Sequence, residues 1–132
     1  MKLFLIIISF LLLGVTLEPI IEDSECKYKK VAASTTDSTG GITVPSGETW
    51  AIYSFQANGA DPAAYVALIW DYGEAGEKIF ASTKGDIHIH YDVAVSEYQF
   101  TGNGSKKISI IIFNDNAAET PIIGGCMELV KL

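Results

Sequence analysis

The sequence predicts an all-β fold, an antiparallel β-sandwich of jelly-roll-like type preceded by an apolar N-terminal segment. Three observations carry this. From residue 26 onward no apolar pattern repeats every 3.6 residues for long enough to build a helix. Short segments of alternating apolar and polar residues recur instead. Eleven of the twelve glycines fall after residue 39, between those segments, where turns need them. Eight or nine short strands in about 105 residues make a sandwich, with a closed barrel as the second arrangement.

The first element stands apart from the rest. Met1-Lys2 precedes Leu3–Val15, thirteen residues interrupted only by Ser9 and Gly14. A lone positive charge followed by an apolar run of that length reads as a signal peptide. No Ala-x-Ala site follows, and the small residues Gly14 and Thr16 would place the cut before Leu17. An uncleaved anchor is the rival. As a helix, Leu3–Leu17 spans about 22 Å, short of the ~30 Å hydrocarbon core. A buried strand of the domain is the third reading. The expected organisation is residues 1–21 as signal peptide or membrane anchor and 22–132 as a single β-sandwich domain. The expected location is exported or membrane-anchored, with membrane contact through Leu3–Val15.

Strands are expected at Lys27–Ala33, Ile42–Val44, Thr49–Ala57, Ala64–Trp70, Glu77–Ser82, Ile87–Val95, Tyr98–Thr101, Lys107–Asn114 and Cys126–Val130. Turn signals separate them at Asp37–Gly41, Pro45–Gly47, Asn58–Pro62, Asp71–Gly73, Lys84-Gly85, Gly102–Gly104, Asn114–Asn116 and Gly124-Gly125. In Thr49–Ala57, Trp50, Ile52 and Ser54 oppose Ala51, Tyr53 and Phe55, so both faces are apolar and the strand is central. Ala64–Trp70 and Ile108–Phe113 are nearly continuous apolar runs and are central too. Ile87, Ile89, Tyr91 and Val93 share one strand face; Asp86, His88, His90 and Asp92 share the other.

Charge narrows the function. Nine Lys and no Arg stand against 16 acids, a net charge of −7. Without Arg, bidentate phosphate recognition is lost, so nucleic acid is not an expected partner. Cys26 and Cys126 belong to no CxxC pair, which argues against zinc. At opposite ends of an exported domain they read as one disulfide, with two separate buried thiols as the alternative.

The His-x-His pair could place two imidazoles on a metal, as cupin-type jelly rolls do. Those proteins add a glutamate a few residues later and another histidine; this chain has Tyr91-Asp-Val-Ala and no third histidine. At most His88 and His90 with a distant carboxylate could serve, so no metal site and no cofactor are expected. Oxygen-rich turns at Asp37, Asp61, Asp71, Glu74 and Asn114–Asn116 leave calcium as a compositional option. No Gly-x-Ser-x-Gly elbow or HExxH is present, no catalytic residue is assigned, and a non-enzyme is expected. Among the aromatics, Trp70 and Tyr72 at a strand end are the best pair for stacking a sugar. The competing reading buries them in the core.

Four stretches, TVPSGETWAIYSF (Thr43–Phe55), VALIWDYG (Val66–Gly73), FASTKGDI (Phe80–Ile87) and TGNGSKKISIIIFND (Thr101–Asp115), carry a resemblance. Their VPxGxxW, WDYG and TGxGxKK patterns resemble small β-sandwich modules of bacteriophage virion proteins of the decoration or fibre type, over about residues 27–130. The resemblance implies a non-enzymatic structural or decoration role on a virion surface, with self-association or a structural protein as the partner. The alternative is a carbohydrate-binding or adhesive module, which an exposed aromatic row on one sheet face would favour.

Overall fold

The computed structural model describes residues 19–38, 40–59 and 64–132; the signal or anchor reading of Leu3–Val15 lies outside the described residues. Among them, the strands are β1 (Asp23–Lys29), β2 (Thr35–Ser38), β3 (Ile42–Thr43), β4 (Thr49–Asn58), β5 (Ala64–Trp70), β6 (Lys78–Thr83), β7 (Asp86–His90), β8 (Gln99–Thr101), β9 (Lys107–Asn114) and β10 (Ile123–Lys131). A 3-10 turn, Ser96–Tyr98, precedes β8. No helix among the described residues is long and apolar enough to cross a membrane.

All pairings are antiparallel and they form two packed sheets. The first runs β1-β10-β4-β7, with β8 pairing the other end of β4; the second runs β2-β9-β5-β6, with β3 following β2 along β9. The pairing is nested, first strand with last and second with last but one, inward to the β5–β6 hairpin. Both sheets have free edges, so the closed-barrel alternative falls away.

Between the sheets β4 contributes Trp50, Ile52, Phe55 and Ala57, β5 Val66, Leu68 and Trp70, β9 Ile108, Ile110 and Ile112, and β10 Ile123, Met127 and Leu129. Each large side chain so buried stabilises the fold by about 1.5–3 kcal/mol. The expected bounds of β5 and β9 are the observed ones, because continuous apolar runs belong in sheet centres.

Elsewhere the chain departs from the simple pattern for identifiable reasons. β4 is central, but its alternation slips by one residue. Glu128 pairs with Ser54 while Leu129 pairs with Ile52, leaving Tyr53 as a bulge. The slip sits where the β4 partner changes from β7 to β8, and it turns Trp50, Ile52, Phe55 and Ala57 all toward the core. Ser54 therefore does not share a face with Trp50 and Ile52.

Two glycines expected in a turn, Gly124 and Gly125, lie inside β10 instead. A Cβ on Gly124 would fall 1.7 Å from the Lys27 carbonyl oxygen, so only glycine lets β1 come this close. β1 starts at Asp23 rather than Lys27, drawn back by its register on β10. β2 forms where a turn was expected at Asp37, and β7 stops at His90 instead of running to Val95. There the Asp92 carboxylate accepts a hydrogen bond from the Ala94 N–H (3.0 Å) and bends the chain away.

The two seams between the sheets differ. At the β1–β2 seam, Lys27 (2.7 Å) and Lys29 both pair with Asp37, whose carboxyl they hold below its usual pKa, the Lys27 hydrogen bond contributing most. Val31, in the β1–β2 connection, is buried in the core. Its N–H donates to Thr120 Oγ1 (2.9 Å), and its carbonyl accepts from the Thr120 N–H (3.0 Å) and from Asn114 Nδ2 (3.0 Å). No comparable ion pair or plug spans the β6–β7 seam among the described residues, where Phe80, Ala81, Ile87 and Ile89 pack on the core only half-buried.

Candidate functional site

Two rungs of the first sheet bring the sequence's chemical residues together on its outer face. One rung runs Cys26, Cys126, Gln56, His88 across β1, β10, β4 and β7; the next runs Ser24, Glu128, Ser54, His90. Cys26 and Cys126 are direct cross-strand partners with Cα atoms 4.0 Å apart, and they form the expected disulfide. These residues line a shallow depression of about 410 Å³.

His88 and His90 are neighbours there, with ring centroids 4.8 Å apart, and the edge of Tyr53 meets His90 at 5.6 Å. Asp86 lies two residues from His88 on the same face of β7, and Glu128 lies in the His90 rung, where it accepts a 2.6 Å hydrogen bond from Ser54 Oγ. Asp92 has left the row because β7 ends at His90. Among the described residues no group of three or more His, Cys, Asp or Glu side chains is placed to hold a metal ion. With two imidazoles and no third ligand, protein purified without added metal is expected to carry substoichiometric zinc and copper by elemental mass spectrometry. A full equivalent lost on His88→Ala would overturn this.

Two of the loop carboxylates are engaged with lysines. Asp37 belongs to the seam ion pairs, and Asp71 pairs with Lys106 at 2.9 Å. Asp71 adopts φ +56° at the corner after β5, with its N–H donating to the Lys107 carbonyl (2.8 Å). Asn114 is fully buried and holds loop carbonyls, and Asp61 lies outside the described residues.

The second sheet separates the aromatic candidates between its two faces. Trp70 is buried in the core against Phe100, centroids 4.8 Å apart, so it presents no surface to a sugar. Tyr72 is exposed and meets Phe113 edge-on at 6.1 Å. Phe113 stacks on Tyr65 at 4.7 Å, and beside them Ala67, Ile69 and Ile111 form a second apolar cluster. Tyr65 and Phe113 are directly paired across β5 and β9, a partnership the sequence hides because it depends on register.

The open β6–β7 seam was not anticipated from sequence. Beside it Tyr91 packs edge-to-face on Tyr98 at 4.7 Å, because the turn after β7 and the 3-10 turn fold residue 98 back onto residue 91. The Tyr91 hydroxyl is buried without a hydrogen-bond partner, and its pKa is pushed up to about 12, chiefly by burial and further by Tyr98. The only sequence signal was Tyr91 sharing the Ile87–Ile89 face. Compared with known protein families, curated proteins and solved structures, the chain matches none.

Proposed function

We propose that the chain is a non-enzymatic structural or assembly β-sandwich, displayed on a particle or outside a membrane through its apolar N-terminal segment. One observation carries the reading. The strand that follows that segment, β1, is an edge strand, and Cys26 joins it covalently to β10 in the sheet interior. Pull on the N-terminus would otherwise be borne by the β1–β10 ladder and the Asp37 ion pairs; the bridge passes it into the centre of the sheet. A disulfide is also compatible with an oxidising, extracellular location.

The nested strand order supports a jelly-roll description, an architecture that serves both capsid and lectin domains. Deleting residues 1–21 is expected to leave a folded, soluble, predominantly monomeric domain that no longer associates with a membrane or particle. Light scattering after size exclusion, set beside the full chain, checks this. A truncated chain that fails to fold, or one that keeps its association, would sink the display reading.

The alternative, a carbohydrate-binding or adhesive module, draws on the Tyr65–Phe113–Tyr72 group of the second sheet. Tyr65 and Phe113 spend one ring face on each other, leaving Tyr72 as the exposed platform. Glycan-array binding abolished by Tyr72→Ala would favour this module over the structural one.

A further inference from the structure

We propose that the recess beside Tyr72, at one corner of the second sheet, is a binding site for a neutral pyranose, one sugar ring of a glycan. The inference goes beyond the display reading and rests on the carbohydrate alternative, to which it gives a place and a sugar class. The recess lies where β9 changes partners. β2 pairs with β9 as far as Ser38–Ile111, and β3 takes over at Ile42–Ile108. Ser109, between those rungs, has no cross-strand residue opposite it on that side among the described residues. The space left is about 310 Å³, at the small end of the ~300–1,000 Å³ usual for small-ligand sites.

A buried polar group points to a ligand. Ser109 lines the recess and is only 6 % exposed, yet its hydroxyl bonds to no described residue. Nor is that hydroxyl sealed from water, since among the described residues the only partnerless side-chain atom so enclosed is the Tyr91 hydroxyl. Gly41, at φ +68°, keeps it clear: a Cβ there would fall 2.2 Å from Ser109 Oγ. Ser109 is also the one polar residue in the run Ile108–Phe113, and packing alone gives no reason for it. The surroundings say what completes it. The hydroxyls of Ser38 and Ser105, the Glu74 carboxylate and the Lys107 ammonium share the recess, so both donors and acceptors are on offer. Their charges balance. Asp71 is matched by Lys106 at 2.9 Å and Glu74 by Lys107, which disfavours an ionic ligand. The aromatic wall is Tyr72, 39 % exposed and set at 79° to Phe113. A sugar ring brings hydroxyls that donate and accept around its edge, and a C–H face that lies on an aromatic ring.

The test sets a glycan array beside a titration of the oxidised full chain, with labelled backbone amides, against the methyl glycosides of glucose, galactose and mannose. Saturable shifts with at least one glycoside are expected at Tyr72, Lys107 and Ser109, with His88 and His90 unmoved. Ser109→Ala removes only the hydroxyl and is expected to weaken binding about 3–10-fold, the range of one net hydrogen bond, while leaving thermal stability unchanged or raised. Tyr72→Ala, at an exposed position, is expected to abolish saturation with the fold intact. Glucuronate and glucosamine, which add a charge of either sign, are expected to bind no tighter than the neutral glycoside. A glycan held on the array without saturable shifts at those three residues overturns the site and leaves the carbohydrate reading standing, as does equal affinity of Ser109→Ala or Tyr72→Ala. Tighter binding of either charged sugar overturns the neutral class. Destabilisation by Ser109→Ala overturns the site too, since it would reveal an internal partner for the hydroxyl. Binding to no glycoside and no array glycan overturns both.

Discussion

Replacing Cys26 by serine and Cys126 by alanine together is expected to lower the unfolding free energy by about 2–5 kcal/mol. The bridge closes a separation of 100 residues, for which the chain-entropy model assigns about 4.7 kcal/mol through restriction of the unfolded chain. That is a large share of the roughly 5–15 kcal/mol by which a domain of this size is usually stable. Urea unfolding of the native and substituted proteins checks it. The midpoint is expected to fall and the slope to rise, because an uncrosslinked unfolded chain exposes more surface. A loss below about 1 kcal/mol would mean that β1 is held by its ladder and seam contacts with little help from the bridge.

Asn114→Leu is expected to be the costliest single substitution outside the bridge and the apolar core, at about 3 kcal/mol or more. Asn114 is fully buried at the end of β9. Its Nδ2 lies 3.0, 3.0 and 2.9 Å from the carbonyls of Val31, Ala32 and Ala118, and its Oδ1 accepts from the Asn116 N–H at 3.1 Å. One amide thus ties the β1–β2 connection to the segment leading into β10. Leucine of similar volume fills the space but removes all four of these bonds, each worth about 0.5–1.5 kcal/mol net, while the Val31 and Ala32 carbonyls keep the Thr120 N–H and the Thr35 hydroxyl. Asn114→Asp fills it too, but exchanges a donor for a charge. Thermal unfolding is expected to rank native above both variants; a Leu variant within 1 kcal/mol of native would show that water replaces the amide.

Much of this architecture was legible because it rests on short-range pattern. Lys107–Asn114 and Ala64–Trp70 declare themselves as central strands by unbroken apolar character. The cysteines declare their pairing by flanking the domain. What stayed hidden needs knowledge of a neighbour. Thr35–Ser38 is a polar edge strand with no alternation, and only the lysines of β1 make sense of Asp37. Gly124-Gly125 reads as a turn until the Lys27 carbonyl is seen against it. The Tyr53 bulge answers to a change of partner strand, so its phase slip leaves no trace in composition. Of the site residues, His88 and His90 were correctly placed on one polar face, whereas the surroundings of Tyr91 depend on a turn that no periodicity announces.

The bridge also decides what one break in the backbone does. Every connection from Lys30 to Ile122 lies inside a single covalent ring closed by Cys26 and Cys126. A protease cutting at the exposed Gly47, or in the exposed Asn103–Ser105 hairpin, opens that ring into a linear chain and releases nothing. Such a nicked molecule migrates as one species until reductant divides it. Two cuts inside the ring are needed before any strand within it can leave, so the domain keeps its full set of strands through the first hit.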